Sequence, residues 1–124
     1  MVSCVAAVPL VIHKKRADQY TATVTIGADA KDIYDTALLI VEESSDIELL
    51  KKNDEDLVVE ARKGKQFASV VIKQLYRGRT LLTVTTDSGE GYDMDEELAL
   101  RVTKRICDKL GVEYRVVIDD SDLL

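Results

Sequence analysis

Residues 20–38 read YTATVTIGADAKDIYDTAL, and this stretch decides the fold class. Tyr20, Ala22, Val24 and Ile26 alternate with Thr21, Thr23 and Thr25. Period two with β-branched residues on both faces predicts a half-buried strand with one apolar and one hydroxylated side. Gly27 ends it. Asp29 is placed to cap a helix by accepting backbone N–H groups, and Asp32 suits the positive helix end. Ile33, Tyr34, Ala37, Leu38 and Val41 share one helical face through about Ser44, and Leu39 and Ile40 widen it. A strand that runs directly into an amphipathic helix needs a sheet for the helix to cover.

Downstream, strands are expected over residues 47–51, 57–62, 67–75 and 80–86. Asn53-Asp54-Glu55-Asp56, Lys63-Gly64-Lys65 and Tyr76-Arg77-Gly78-Arg79 separate them. Gly64 supplies a positive φ at little cost. Connections this short make antiparallel hairpins rather than parallel crossovers. After the loop at 87–91, a second helix starts near Met94 with Asp93 as its cap and Asp95, Glu96 and Glu97 in its first turn. Leu98, Ala99, Val102, Ile106, Cys107 and Leu110 form its apolar stripe. Lys104, Arg105 and Lys109 lie towards its negative end, and Gly111 stops it. Residues 114–118 add an optional last strand. The expected fold is an α+β two-layer sandwich of order β-α-β-β-β-β-α: an antiparallel four- to five-stranded sheet with two helices on one face. The domain layout is an apolar/basic arm or post-leader linker over 1–16, one α+β domain over 17–118, and an acidic tail over 119–124.

The chain has 124 residues, 46% of them apolar and 32% charged, which fits one domain. At this length about two-thirds of the unfolded surface can be buried, so neither metal nor disulfide is required. The apolar content excludes a disordered chain. No apolar run approaches the ~20 residues of a transmembrane helix. The net charge of −6 is unevenly spread. Residues 1–16 hold three of the seventeen Lys/Arg and no carboxylate, leaving fourteen cations against twenty-three anions in residues 17–124. A body this acidic repels phosphate backbones, so no nucleic-acid partner is expected.

Catalytic constellations are not evident. The single histidine, His13, sits in the basic run His13-Lys14-Lys15-Arg16, outside the expected domain. With one histidine and two distant cysteines there is no triad or dyad. Ser88-Gly89-Glu90-Gly91 lacks the lysine and spacing of a phosphate loop. Asp87, Glu90, Asp93, Asp95, Glu96 and Glu97 form an acidic cluster without a calcium-loop pattern, and helix-end electrostatics explains the last three. Cys107 reads as a small buried hydrophobe. Lys63, Lys65, Arg77 and Arg79 flank two hairpin turns, where charges keep strand edges soluble, or form a small basic rim for an anion. No cofactor, metal site or catalytic residue is expected, and the chain reads as non-enzymatic.

Residues 1–12, MVSCVAAVPLVI, are apolar and precede the basic run, the reverse of a complete signal peptide. Met1-Val2-Ser3-Cys4 has the residue order that precedes and includes a lipidated cysteine. Cys4 followed by Val5-Ala6-Ala7-Val8, the run YTATVTIGADAKDIYDTAL and the closing helix DEELALRVTKRICDKL together resemble a family of short bacterial lipoproteins of unknown function. Here residues 9–16 read PLVIHKKR where that family's linker is often rich in Gly and Ala. The resemblance implies a lipid on Cys4, a leader upstream of Met1, membrane association and a periplasmic, cell-envelope location. The expected role is a binding or assembly module with an unidentified protein partner. Two alternatives stand beside it: a cytoplasmic acidic adaptor or chaperone-like protein, and a small-molecule binder with a cavity between sheet and helices.

Overall fold

A computed structural model describes residues 7–16, 19–87 and 98–119. Its elements are β1 (Val8–Arg16), β2 (Gln19–Ile26), α1 (Ala30–Glu43), β3 (Glu48–Asn53), β4 (Val58–Lys63), β5 (Gln66–Tyr76), β6 (Arg79–Asp87), α2 (Leu98–Leu110) and β7 (Tyr114–Asp119). They form one seven-stranded sheet in the order β3-β4-β5-β6-β2-β1-β7.

This corrects the expected four- to five-stranded antiparallel sheet of order β-α-β-β-β-β-α. The sheet is mixed, because β7 runs parallel to β1. The extra strand comes from residues expected to be an arm or linker. β1 pairs antiparallel with β2 (Val11↔Thr23, Lys14↔Tyr20) and parallel with β7 (Leu10↔Val116, Ile12↔Ile118). The physical reason is burial: Leu10 is 0% exposed and Ile12 5%, so the alternation Leu10-Val11-Ile12 is a strand signal. A basic run following an apolar one hides that signal.

The helices lie in two long crossovers. Following the pairings, β2-α1-β3 and β6-α2-β7 both join parallel strands, whereas β3 to β6 is an antiparallel meander. Both helices cover the same face. Ala22, Val24 and Ile26 of β2, Leu82 and Val84 of β6, Val70 and Ile72 of β5 and Val59 of β4 meet Ile33, Tyr34, Ala37 and Ile40 of α1 and Ala99, Ile106 and Cys107 of α2. Leu39, expected to widen the buried face of α1, is exposed, while Ile40 is buried. The other sheet face is uncovered by either helix. There Thr23 pairs with Thr83 and Thr21 with Thr85, with the Thr21 and Thr85 Oγ1 atoms 3.4 Å apart.

Local capping differs from expectation. Asp29 occupies the N-cap of α1, but its side chain makes no cap hydrogen bond. The Ala30 N–H instead donates to Gln74 Oε1 at 2.8 Å, and Thr80 Oγ1 donates to the Ala28 carbonyl at 2.6 Å. A long-range clamp from the β5–β6 hairpin thus does the work of a local cap. Tyr34 is buried on α1 and its hydroxyl donates to Asp54 in the β3–β4 turn. Burial first, then that carboxylate, pushes its pKa up to about 12. Gly64 and Gly78 take positive φ at the two hairpin turns, as Lys63-Gly64-Lys65 led one to expect.

Candidate functional site: a cation-rimmed apolar cleft

The C-terminal end of α1, the α1–β3 connection, the end of β4 and the outer side of α2 enclose an apolar cleft. Its inner recess holds about 30 Å³ and is walled by apolar groups, among them Ala37, Ile40, Val59, Val70, Val102 and Ile106. That is the room of one water, and an apolar recess of this size stays dry. This recess is too small to hold a small-molecule ligand.

The recess opens into an outer chamber of about 320 Å³ lined by Ile40, Asp46, Ile47, Lys63, Leu98, Arg101, Val102, Lys104 and Arg105. Four of its lining residues are cations and one is an anion. α2 supplies three of the cations by spacing: Arg101, Lys104 and Arg105 are three and four residues apart, beside the apolar row Leu98, Val102 and Ile106. β4 supplies Lys63 from its last residue, on the side of the sheet that the helices cover.

The charges are partly tied together. Lys63 Nζ lies 3.3 Å from Asp46 Oδ2. The hydrogen bond from Lys63, with further help from a backbone hydrogen bond and from the charges of Lys63 and Arg101, holds the Asp46 carboxyl below its usual pKa. Arg105 Nη1 donates to Ser44 Oγ at 3.0 Å, and Ser44 Oγ donates to the Ile40 carbonyl at 2.7 Å. Lys109 bridges to Glu43 at 2.9 Å, bracing α2 against the end of α1. Such an arrangement can seat an apolar group over the recess and hold carboxylates at its rim. The signal for it in the sequence is the 101–104–105 spacing, of which Lys104 and Arg105 also read as charges towards the negative helix end. Lys63 joins it only through the fold.

The other sequence-derived candidates fall elsewhere. Cys4, the suspected lipid site, lies outside the described residues, as do Glu90, Asp93, Asp95, Glu96 and Glu97 of the acidic cluster. Asp87 ends β6 and pairs in register with Gln19 and Phe67. His13 is not outside the domain: it sits within β1, half-buried, opposite Thr21 and Asp119. Lys63 and Lys65 lie at one end of β5 and Arg77 and Arg79 at the other, so the two basic pairs occupy opposite rims. Cys107 is fully buried, and burial, with a smaller contribution from Asp108, pushes its thiol up to about 11. A thiol so shifted is a poor nucleophile near neutrality. No three His, Cys, Asp or Glu side chains among the described residues converge as a metal set would. No helix among them is long and apolar enough to cross a membrane.

No protein-family model matches the chain, and no curated protein matches it significantly.

Proposed function

We propose that the chain is a non-enzymatic binding module whose docking site is the cation-rimmed apolar cleft, and that its partner is a protein segment presenting an apolar side chain flanked by carboxylates. The observation that carries this reading is the concentration of Lys63, Arg101, Lys104 and Arg105 around an apolar recess, in a body where anions outnumber cations. Charge steers such a segment in and the apolar contact holds it.

Amide chemical-shift mapping with an N-acetylated Leu-Asp-Glu-Glu peptide tests it. The expected result is a set of shifts confined to Ile47, Lys63 and residues 98–105, weakening as salt is added. The double variant Arg101→Glu, Arg105→Glu should lower the affinity about tenfold or more. Shifts elsewhere, or an affinity indifferent to those reversals, would contradict the reading.

The cell-envelope version of this proposal adds a lipid on Cys4, supported by the order Met1-Val2-Ser3-Cys4 and by the lipoprotein resemblance. A lipid there supplies a membrane anchor through its acyl chains. Mass spectrometry of the native protein should find diacylglyceryl on Cys4 at the mature N-terminus; an unmodified Met1 would contradict it.

A further inference from the structure

We infer that β7 is a self-complementary docking edge, and that its occupant is the β7 of a second copy of this chain, paired antiparallel about a two-fold axis at Val117.

Among the described residues β7 is the last strand of the sheet, bonded on one side only, to β1. The phase of its free groups follows from one bond. The Val8 N–H donates to the Glu113 carbonyl at 3.0 Å, and Val8 is in register with Tyr114. In a parallel ladder this points residues 113, 115 and 117 towards β1 and Tyr114, Val116 and Ile118 outwards. The outward N–H and C=O groups of Val116 and Ile118 are the template for another strand.

The side chains select which strand. A two-fold axis at Val117 sets Val116 opposite Ile118 of the second copy as a hydrogen-bonded pair, and Arg115 opposite Asp119. The first pair is apolar and exposed in the single chain: Val116 is 39% exposed and Ile118 75%. Both belong to the helix-covered side of the sheet, in register with buried Leu10 and Ile12, but α2 packs on β2, β5 and β6. The second pair places a cation across from an anion twice, once for each half of the axis. A parallel or shifted pairing loses this match. β7 carries no proline, no lysine and no register shift, and its two charges, Arg115 and Asp119, are the pair that the two-fold axis matches.

Sedimentation velocity over roughly 1 μM to 1 mM, the range in which so small an interface saturates, tests this. Wild-type protein should move from the 13.8 kDa chain to twice that mass and stop there. Arg115→Asp sets two carboxylates opposite each other, and Asp119→Arg sets two guanidinium groups; each should weaken self-association about tenfold. An equimolar mixture of these two variants restores both opposite-charge pairs and should form the mixed dimer at wild-type concentrations. Ile118→Lys should leave the chain monomeric with an unchanged circular dichroism spectrum. A wild-type monomer throughout the range overturns the proposal, as does growth beyond the dimer. Dimers indifferent to all three variants, or a mixture that fails to associate although both variants are folded, overturn it equally.

Discussion

The two ends of the sheet are built in opposite ways. At one end β3, β4, β5 and β6 follow one another through hairpins, each strand pairing with its neighbour in the chain. At the other end β1 and β7, more than a hundred residues apart in sequence, lie side by side in parallel. The hairpin end closes on a guarded edge. Its register shifts between Leu49 and Lys51, and Lys51 and Lys52 stand on β3. Those are the devices that keep a strand from pairing with strangers. The other end closes on β7, regular in register and carrying exposed Val116 and Ile118. The difference teaches that one sheet can be protected at one edge and left open for assembly at the other.

The comparison can be broken most severely through the core beneath each end. Leu10 is fully buried on β1, so Leu10→Ala should cost about 3 kcal/mol in urea unfolding, whereas Leu49→Ala on β3, where the side chain is 41% exposed, should cost less than about 1 kcal/mol. Equal costs would mean that β1 contributes no more to the core than the guarded edge does.

Next in size is the loss of guarding. Lys51→Thr with Lys52→Val leaves β3 with its bulge but without its lysines, and should raise higher-order association in light scattering while the unfolding midpoint holds. Unchanged scattering would show that the bulge alone protects this edge.

Alkaline pH sharpens the comparison at the hairpin end, where Tyr34 ties α1 to the β3–β4 turn through Asp54. Its folded pKa of about 12 lies above the ordinary value of 10. The folded state therefore binds the phenolic proton more tightly than the unfolded state does. The resulting stability is complete below pH 10 and is lost as pH rises towards 12. Tyr34→Phe should flatten that loss, read as the slope of the unfolding midpoint against pH. The smallest effect belongs to the surface pair of Arg62 with Glu48 across β3 and β4, 2.8 Å apart but 41% and 61% exposed. Arg62→Ala should change stability by less than about 1 kcal/mol.

The same contrast explains what was legible in the sequence. The hairpin end was readable because its signals are local: alternation along 67–75 and 80–86, and glycine at Gly64 and Gly78 where φ is positive. The helix faces were readable from period, with Ile33, Tyr34, Ala37, Ile106 and Cys107 all buried. The terminal end was only half readable: residues 114–118 offered an optional strand, but a parallel pair has no turn to announce it and its two strands lie at opposite ends of the chain. Leu10 and Ile12 alternate correctly, but three basic residues after them suggest a linker. The cleft was half legible. Arg101, Lys104 and Arg105 share a helix side in the sequence, yet Lys63 and Asp46 join them only through packing. The Asp29 cap failed for a related reason, since Gln74 reaches the helix from forty-four residues away.

Everything distinctive about this molecule depends on β1 being a full member of the sheet. It seats β7 and sets the phase of the open edge. Amide hydrogen exchange reads this directly. With β2 on one side and β7 on the other, the amides of Leu10, Val11, Ile12 and His13 should exchange as slowly as those of Val24 and Val84. Exchange of these β1 amides at the rate of an unstructured peptide, with β2 and β6 still protected, would contradict the account.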